Sequence, residues 1–403
     1  MRSPLPSLSL AFAALAFLAS PNPALAATWD ETLASARGDT VYWNAWAGDP
    51  RINDYIGWVA EQVRGRFGID LRHVKVTDTS DVVSRVLAEK AAGKDQGGSV
   101  DLVWLNGENF AAMKENKLLY GPFVDRLPNA KLIDTVGKPT TLVDFTIPTD
   151  GMEAPWGMAQ FVFNYDTGQI AKPPRSAAAL LDWTQANPGR FTYPSPPDFI
   201  GSTFLKQMLV EVTADPVLLQ KPVDDADFDQ VTAPLWTFLE KLHPNLARGG
   251  ESFPASGPAL KQMLADGEVA MSLSFHPGEA SRDIASGLLP PSIRTFVLER
   301  GTIGNTHFVA IPYNANAPDA AAVVADFLLS PEAQLMKQDP AVWGDFTVLD
   351  MDRLTPEDRA KFAAVPRGEA TLSEEELGTP LLEPHPSWMV RIEREWLRRY
   401  GAG

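Results

Sequence analysis

The chain has 403 residues with 35 basic and 51 acidic side chains, a formal net charge of −16, and no cysteine. Its length exceeds one ordinary core and suits two domains. The acidic balance argues against a nucleic-acid partner, and the absence of cysteine excludes disulfides, thiolate metal sites and a cysteine nucleophile.

The first 26 residues, "MRSPLPSLSLAFAALAFLASPNPALA", read as an export signal rather than as part of a fold. Arg2 precedes an apolar run from Leu8 to Ala19, and Ala24-Leu25-Ala26 forms an A-x-A cleavage site after Pro21 and Pro23. The run is shorter than the ~20 residues a membrane-spanning helix needs. The mature chain is therefore expected to be exported and, with no cysteine for acylation, to be free in the periplasm.

The mature sequence opens with a strand over 39–46, a helix over 49–67, a strand over 71–76, a helix over 80–93, a strand over 100–106 and a helix over 108–119. Asp49-Pro50 and Ser80-Asp81 are helix-start residues, and Gly68 and Gly93 stand at helix ends. Alternating strands and helices with short connections predict a parallel sheet with right-handed crossovers. Ligands of such sheets bind at the carboxyl ends of the strands. Trp43-Asn44-Ala45-Trp46 and Asn106-Gly107-Glu108-Asn109 fall there.

Farther along, an extended run over 154–167 leads to a helix over 176–189, a strand over 190–196, and helices over 199–213, about 230–242 and 256–267. A strand over 269–275, an extended segment over 304–315 and helices over 317–338 and 386–400 complete the chain. The two extended runs bracket an α/β block, which predicts two crossings between lobes. The expected division is a signal over 1–26, a first lobe over 27–155 and 314–403, and a second lobe over 156–313 with crossings near 156–166 and 304–313. The last helices are expected to pack on the first lobe.

Four segments in this order and spacing carry a resemblance: "TVYWNAWAGDPRINDYIGWVAEQ", "DLVWLNGENFAAMKENKLLYGP", "PWGMAQFVFNYDT" and "AVVADFLLSPEAQ". Together they resemble a bacterial extracellular solute-binding protein of an ABC importer, and most of all a branch grouped with proteins proposed for thiamine uptake. The resemblance implies a two-lobed, venus-flytrap α/β fold, each lobe a mainly parallel sheet flanked by helices. It also implies a monomer that closes on a small-molecule ligand and docks on an inner-membrane permease, with no cofactor and no catalysis. A hydrolase on the same scaffold and a ligand-sensing receptor subunit are the rival expectations.

The candidate ligand-binding residues are Trp43, Asn44 and Trp46 at the first strand end, and Asn106, Glu108 and Asn109 at the third. Trp156 and Gln160 open the first crossing, where an aromatic packs on ligand in this family. Asp198 and Ser202 start a helix whose amides attract anions. Phe275 and His276 end a second-lobe strand, Asn305 precedes the second crossing, and Trp343 follows the Ser-Pro-Glu-Ala-Gln turn. Burial competes with ligand contact for the tryptophans, and helix capping competes for Glu108, Asp198 and Ser202. Aromatic faces with carboxylates suit an organic cation such as thiamine, a choline or a polyamine.

No metal site is expected. The seven tyrosines include no Tyr-Tyr pair of the ferric-binder kind, and His73, His243, His276, His307 and His385 show no close ligand spacing. Nor does a catalytic motif emerge: around Ser252, Pro254 stands where a nucleophile elbow needs glycine, and no phosphate-binding loop is present.

Overall fold

A computed structural model describes residues 28–401, so the expected export signal lies outside the described residues. The strands are β1 (Thr40–Trp46), β2 (Asp70–Val76), β3 (Leu102–Leu105), β4 (Val143–Asp144), β5 (Ile147–Pro148), β6 (Glu153–Gln160), β7 (Val162–Asp166), β8 (Met271–Ser274), β9 (Ile293–Phe296) and β10 (Gly304–Ala310).

Local sequence explains the first lobe. The helix Pro50–Phe67 starts with Pro50 after Asp49, whose side chain accepts from the Arg51 amide, and stops at Gly68 in a left-handed conformation. Its Ile52, Tyr55, Ile56, Val59 and Val63 recur at helical spacing and are all buried. On β1, Val41, Trp43 and Ala45 alternate onto one face of the sheet and into the core. These elements surround a five-stranded sheet of order β2-β1-β3-β10-β6. β1 pairs in parallel with β2 and β3, whereas β10 runs antiparallel to both β3 and β6.

The second lobe departs from the expected mainly parallel sheet. Its three strands, ordered β8-β7-β9, pair antiparallel throughout. Residues 190–196, expected as a strand, belong to none. The predicted helix over 317–338 is two helices, Pro318–Leu328 and Pro331–Gln338, because Pro331 cannot continue the ladder and Ser330 caps a new start at the Ala333 amide.

The extended run at 154–167 is a lobe crossing, since β6 and β7 are adjacent in sequence and lie in different sheets. The chain returns through Ile303 into β10, and then crosses a third time. Phe362 packs in the first-lobe core, whereas Ala370, Trp388, Ile392 and Trp396 pack in the second-lobe core. The helix Pro386–Tyr400, expected on the first lobe, touches that lobe at the helix Glu108–Glu115 but sends its large apolar side chains into the second-lobe core. Its large apolar residues complete the second core, and the segment between 370 and 385 is strung along the seam. No helix among the described residues is long and apolar enough to cross a membrane.

Candidate functional site

Two groups of side chains lie where the lobes meet. The first is aromatic. Trp156 of β6 is flanked by Trp43 of β1 at 5.4 Å, Trp104 of β3 at 5.0 Å and Trp343 at 5.3 Å between ring centroids. Tyr55 closes the nest against Trp343, and its hydroxyl donates to the Ala333 carbonyl. Trp43, Trp156 and Trp343 are fully buried, and their three indole N–H groups have no acceptor among the described residues. Buried donors left unpaired are costly, so each of them invites an acceptor.

Polar residues border this nest. His307 of β10 stacks on Trp343, and its Nε2 lies 3.1 Å from Asp345 Oδ1. Lys337 sits 3.0 Å from the other oxygen of Asp345 and also donates to the carbonyls of Asp345 and Phe346. Burial pushes both His307 and Lys337 below their ordinary ranges; against the upward push of its own burial, Lys337 and His307 hold Asp345 well below the carboxylate range. From the second lobe, His276 brings Nδ1 to 3.7 Å from the same Asp345 oxygen. Beside it, Arg282 crosses the seam to Asp49 at 2.8 Å, and Lys261 pairs with Glu279 and Asp283.

The second group is acidic. Gly107 caps the helix Glu108–Glu115 with a left-handed φ of 63°, and its amide donates to Asp144 Oδ2 at 2.7 Å. A Cβ at Gly107 would lie 2.6 Å from the Phe145 ring, so only glycine fits there. Phe145 has a left-handed φ of 53°, a strained conformation for a bulky residue, and its ring covers the Lys206 ammonium at 4.4 Å. Phe199 covers the same ammonium at 5.4 Å. Lys206 Nζ is 2.7 Å from Glu383 Oε2, an ionic contact without hydrogen-bond alignment, and both side chains are buried.

Lys206 is outnumbered. Burial pushes Glu108 up to about 7, raises Asp144 and Glu153 well above the carboxylate range, and raises Glu383 and Glu393 despite Lys206 nearby. Glu108 and Asp144 come from the first lobe, Lys206 from a second-lobe helix, and Glu383 and Glu393 from the segment of the third crossing and the last helix. That last helix packs directly on Glu108–Glu115. Burial disfavours charge, so each of these carboxyls is easier to protonate than an exposed one, and a cation nearby favours its ionised form.

The expected site residues divide between these groups. Trp43, Trp156 and Trp343 build the aromatic nest but face one another rather than an open cleft, and Trp46 packs half-buried beside them. His276 borders the nest. Glu108 belongs to the acidic group, with Asn109 donating to it at 3.1 Å and Ser202 donating to Glu393. Asn305 donates to Glu383 at 3.2 Å, and Phe275 meets Phe199 edge-on at 5.1 Å. Asn106 is half-buried at the end of β3.

Three further expected residues have hydrogen-bond partners within the protein. Asp198 caps its helix at Ile200 and Gly201 and also accepts from Gly257. Gln160 donates to Thr302 and to the Leu377 carbonyl. Buried Asn44 accepts from Arg85 and donates to the Tyr42 carbonyl.

Sequence reasoning missed Trp104, Asp144, Phe145, Lys206, His307, Lys337, Asp345, Glu383 and Glu393. Trp104 carried a signal, an aromatic within the third strand. Lys206 carried one too, a lysine within the apolar helix Phe199–Val212. Glu383 and Glu393 carried none, because only the third crossing brings them to the seam. The expectation of no metal-ligand set rested on spacing along the chain, yet His276, His307 and Asp345 place three donor atoms within 4.8 Å of one another.

The family described as bacterial extracellular solute-binding protein matches residues 58–349. The Escherichia coli protein YnjB is 46% identical over 377 residues, covering 94% of this chain and 95% of its own length. Among solved structures, the periplasmic binding protein AfuA from Actinobacillus pleuropneumoniae, with fructose-6-phosphate bound, aligns with a TM-score of 0.63 at 14% identity, covering 91% of this chain and 99% of its own. PotD from Streptococcus pneumoniae, a spermidine/putrescine ABC transporter substrate-binding protein, aligns at 0.60 with 16% identity, covering 90% and 100%. At such identities these structures show the fold alone, the two-lobed periplasmic binding protein fold.

Proposed function

Because the chain belongs to the bacterial extracellular solute-binding protein family, we propose that it is the periplasmic substrate-binding component of an ABC importer and that its solute is a small organic cation. One observation carries the choice of cation: Glu108, Asp144, Glu383 and Glu393 gather around the Lys206 ammonium, and burial raises each of these carboxyls. A cation placed among them favours the ionised form that burial disfavours, and gains their charge at low dielectric. Phe145 and Phe199 supply ring faces for the same charge.

Thiamine and polyamines both fit this chemistry. The solute bridges side chains of both lobes, so it stabilises the closed arrangement in proportion to its preference for that state. The closed form is then what an inner-membrane permease receives. The match to the family ends at residue 349, while Glu383 and Glu393 lie beyond it.

Isothermal titration of ligand-stripped protein with thiamine, spermidine and choline, alongside a neutral sugar and a sugar phosphate, tests this reading. A cation is expected to bind, and Glu108→Gln with Glu393→Gln is expected to weaken it without lowering the thermal midpoint. Saturable binding of the sugar or sugar phosphate, with none of any cation, would overturn the choice of solute.

A further inference from the structure

We propose a second, lobe-spanning site for a zinc-class divalent metal ion, formed by His276, His307 and Asp345. It is separate from the acidic group and does not depend on which solute that group takes. The three residues come from three places: the loop after β8 in the second lobe, β10 on the return crossing, and the loop after the helix Pro331–Gln338 in the first lobe.

The spacing of the donors is that of a coordination sphere. Zinc bonds imidazole nitrogen and carboxylate oxygen at ~2.0–2.1 Å, so neighbouring ligands of a tetrahedral site stand ~3.3 Å apart. Asp345 Oδ1 lies 3.1 Å from His307 Nε2 and 3.7 Å from His276 Nδ1, and all three atoms fall within 4.8 Å of one another. At 3.7 Å the His276 contact is too long for a hydrogen bond, and His276 Nδ1 has no other hydrogen-bond partner. An ion bonded to all three atoms pairs that nitrogen. Two imidazoles and one carboxylate without thiolate select zinc or a neighbouring first-row ion over calcium or magnesium.

The surroundings are built for it. Gly157 of β6 lies under the site, and a Cβ there would come 2.1 Å from Asp345 Oδ2 and 2.6 Å from His307 Cδ2. Lys337 holds Asp345 Oδ2 and leaves Oδ1 to the histidines, the orienting role an outer partner plays around a metal. Trp104 and Trp343 pack against His307 as an apolar wall. Glu279, which interacts with His276, adds negative charge close by. Because His276 belongs to the second lobe and Asp345 to the first, the ion staples the lobes at the floor of the seam.

The test uses the mature protein with zinc alone and no organic solute, in competition with a chromophoric chelator at neutral pH. One ion per chain is expected, and cobalt in its place should give the visible bands of a four-coordinate centre. His276→Ala and His307→Gln should each weaken uptake by more than the ~10–100-fold that loss of an outer partner costs. No stoichiometric uptake, or uptake unchanged in both variants, would leave these residues a plain hydrogen-bonded contact and end the proposal. Should a variant fail to fold, anomalous diffraction from zinc-soaked crystals of the unaltered protein decides: a peak bonded to the three side chains supports the site, and a peak elsewhere or none refutes it. Organic-cation binding measured after metal removal reports on the acidic group alone, so the two readings fail separately.

Discussion

Lys206 and Glu383 form a 2.7 Å ion pair in which both side chains are buried, tying a second-lobe helix to the segment of the third crossing. Removing one member of a buried pair leaves an uncompensated charge, at a cost of about 3–5 kcal/mol. Lys206→Met should therefore destabilise the protein at neutral pH by that order, measured as the loss in denaturant midpoint. Lys206→Met with Glu383→Gln should recover most of it, because the orphaned charge is gone. Additive losses in the double variant would show that the two residues are not coupled.

The acidic group makes stability and binding respond to pH in opposite directions. Burial raises the folded pKa of Glu108 to about 7, above the ~4.3 of an unfolded glutamate. Its stabilisation is thus fully present below the unfolded value and lost as pH rises through the folded value, over roughly pH 4.3 to 7. For this one group the effect is about 3 kcal/mol before reduction for solvent screening of a half-buried side chain. Binding of an organic cation should tighten over the same interval and release protons, as titration in buffers of different ionisation enthalpy measures. Glu108→Gln should flatten both profiles, and cation binding that stays constant with pH would contradict the argument.

Gly157 and Gly57 should respond to alanine with opposite signs. A Cβ at Gly157 meets Asp345 and His307, which are both buried and fixed by partners, so Gly157→Ala should cost about 1–3 kcal/mol. Gly57 is exposed in the middle of the helix Pro50–Phe67 with nothing near its missing Cβ. Gly57→Ala should stabilise by about 0.5–1 kcal/mol through helix propensity. Thermal melts of the two variants separate these outcomes.

The first lobe was readable along the chain because its helices carry helical spacing and its caps are local, as Asp49-Pro50 and Gly68 show. The antiparallel second sheet was not, because β8 and β9 are four residues each and buried at every position but Arg294, so periodicity is silent about strand direction. In the site, residues at strand ends such as Glu108 and His276 announced themselves by position. Glu383 and Asp345 reach the seam through contacts with residues far from them in sequence, which no local pattern encodes. Trp43 packs edge-on against Trp156 at 5.4 Å between ring centroids, a contact between residues 113 apart that no local pattern encodes.

Trp396 tests where the last helix belongs. It is buried in the second-lobe core, and its Nε1 donates at 2.8 Å to the Tyr193 hydroxyl, which is itself 2.7 Å from His243 Nε2. Trp396→Ala removes a large core side chain and one partner of a buried hydroxyl, so a loss of about 3–5 kcal/mol is expected. Leu397, the next residue, is 45% exposed on the other face, and Leu397→Ala should change stability by no more than about 0.5 kcal/mol. Denaturant midpoints for the pair read this directly. Equal small effects would place the helix outside the core, and with it would remove Glu393 from the acidic group.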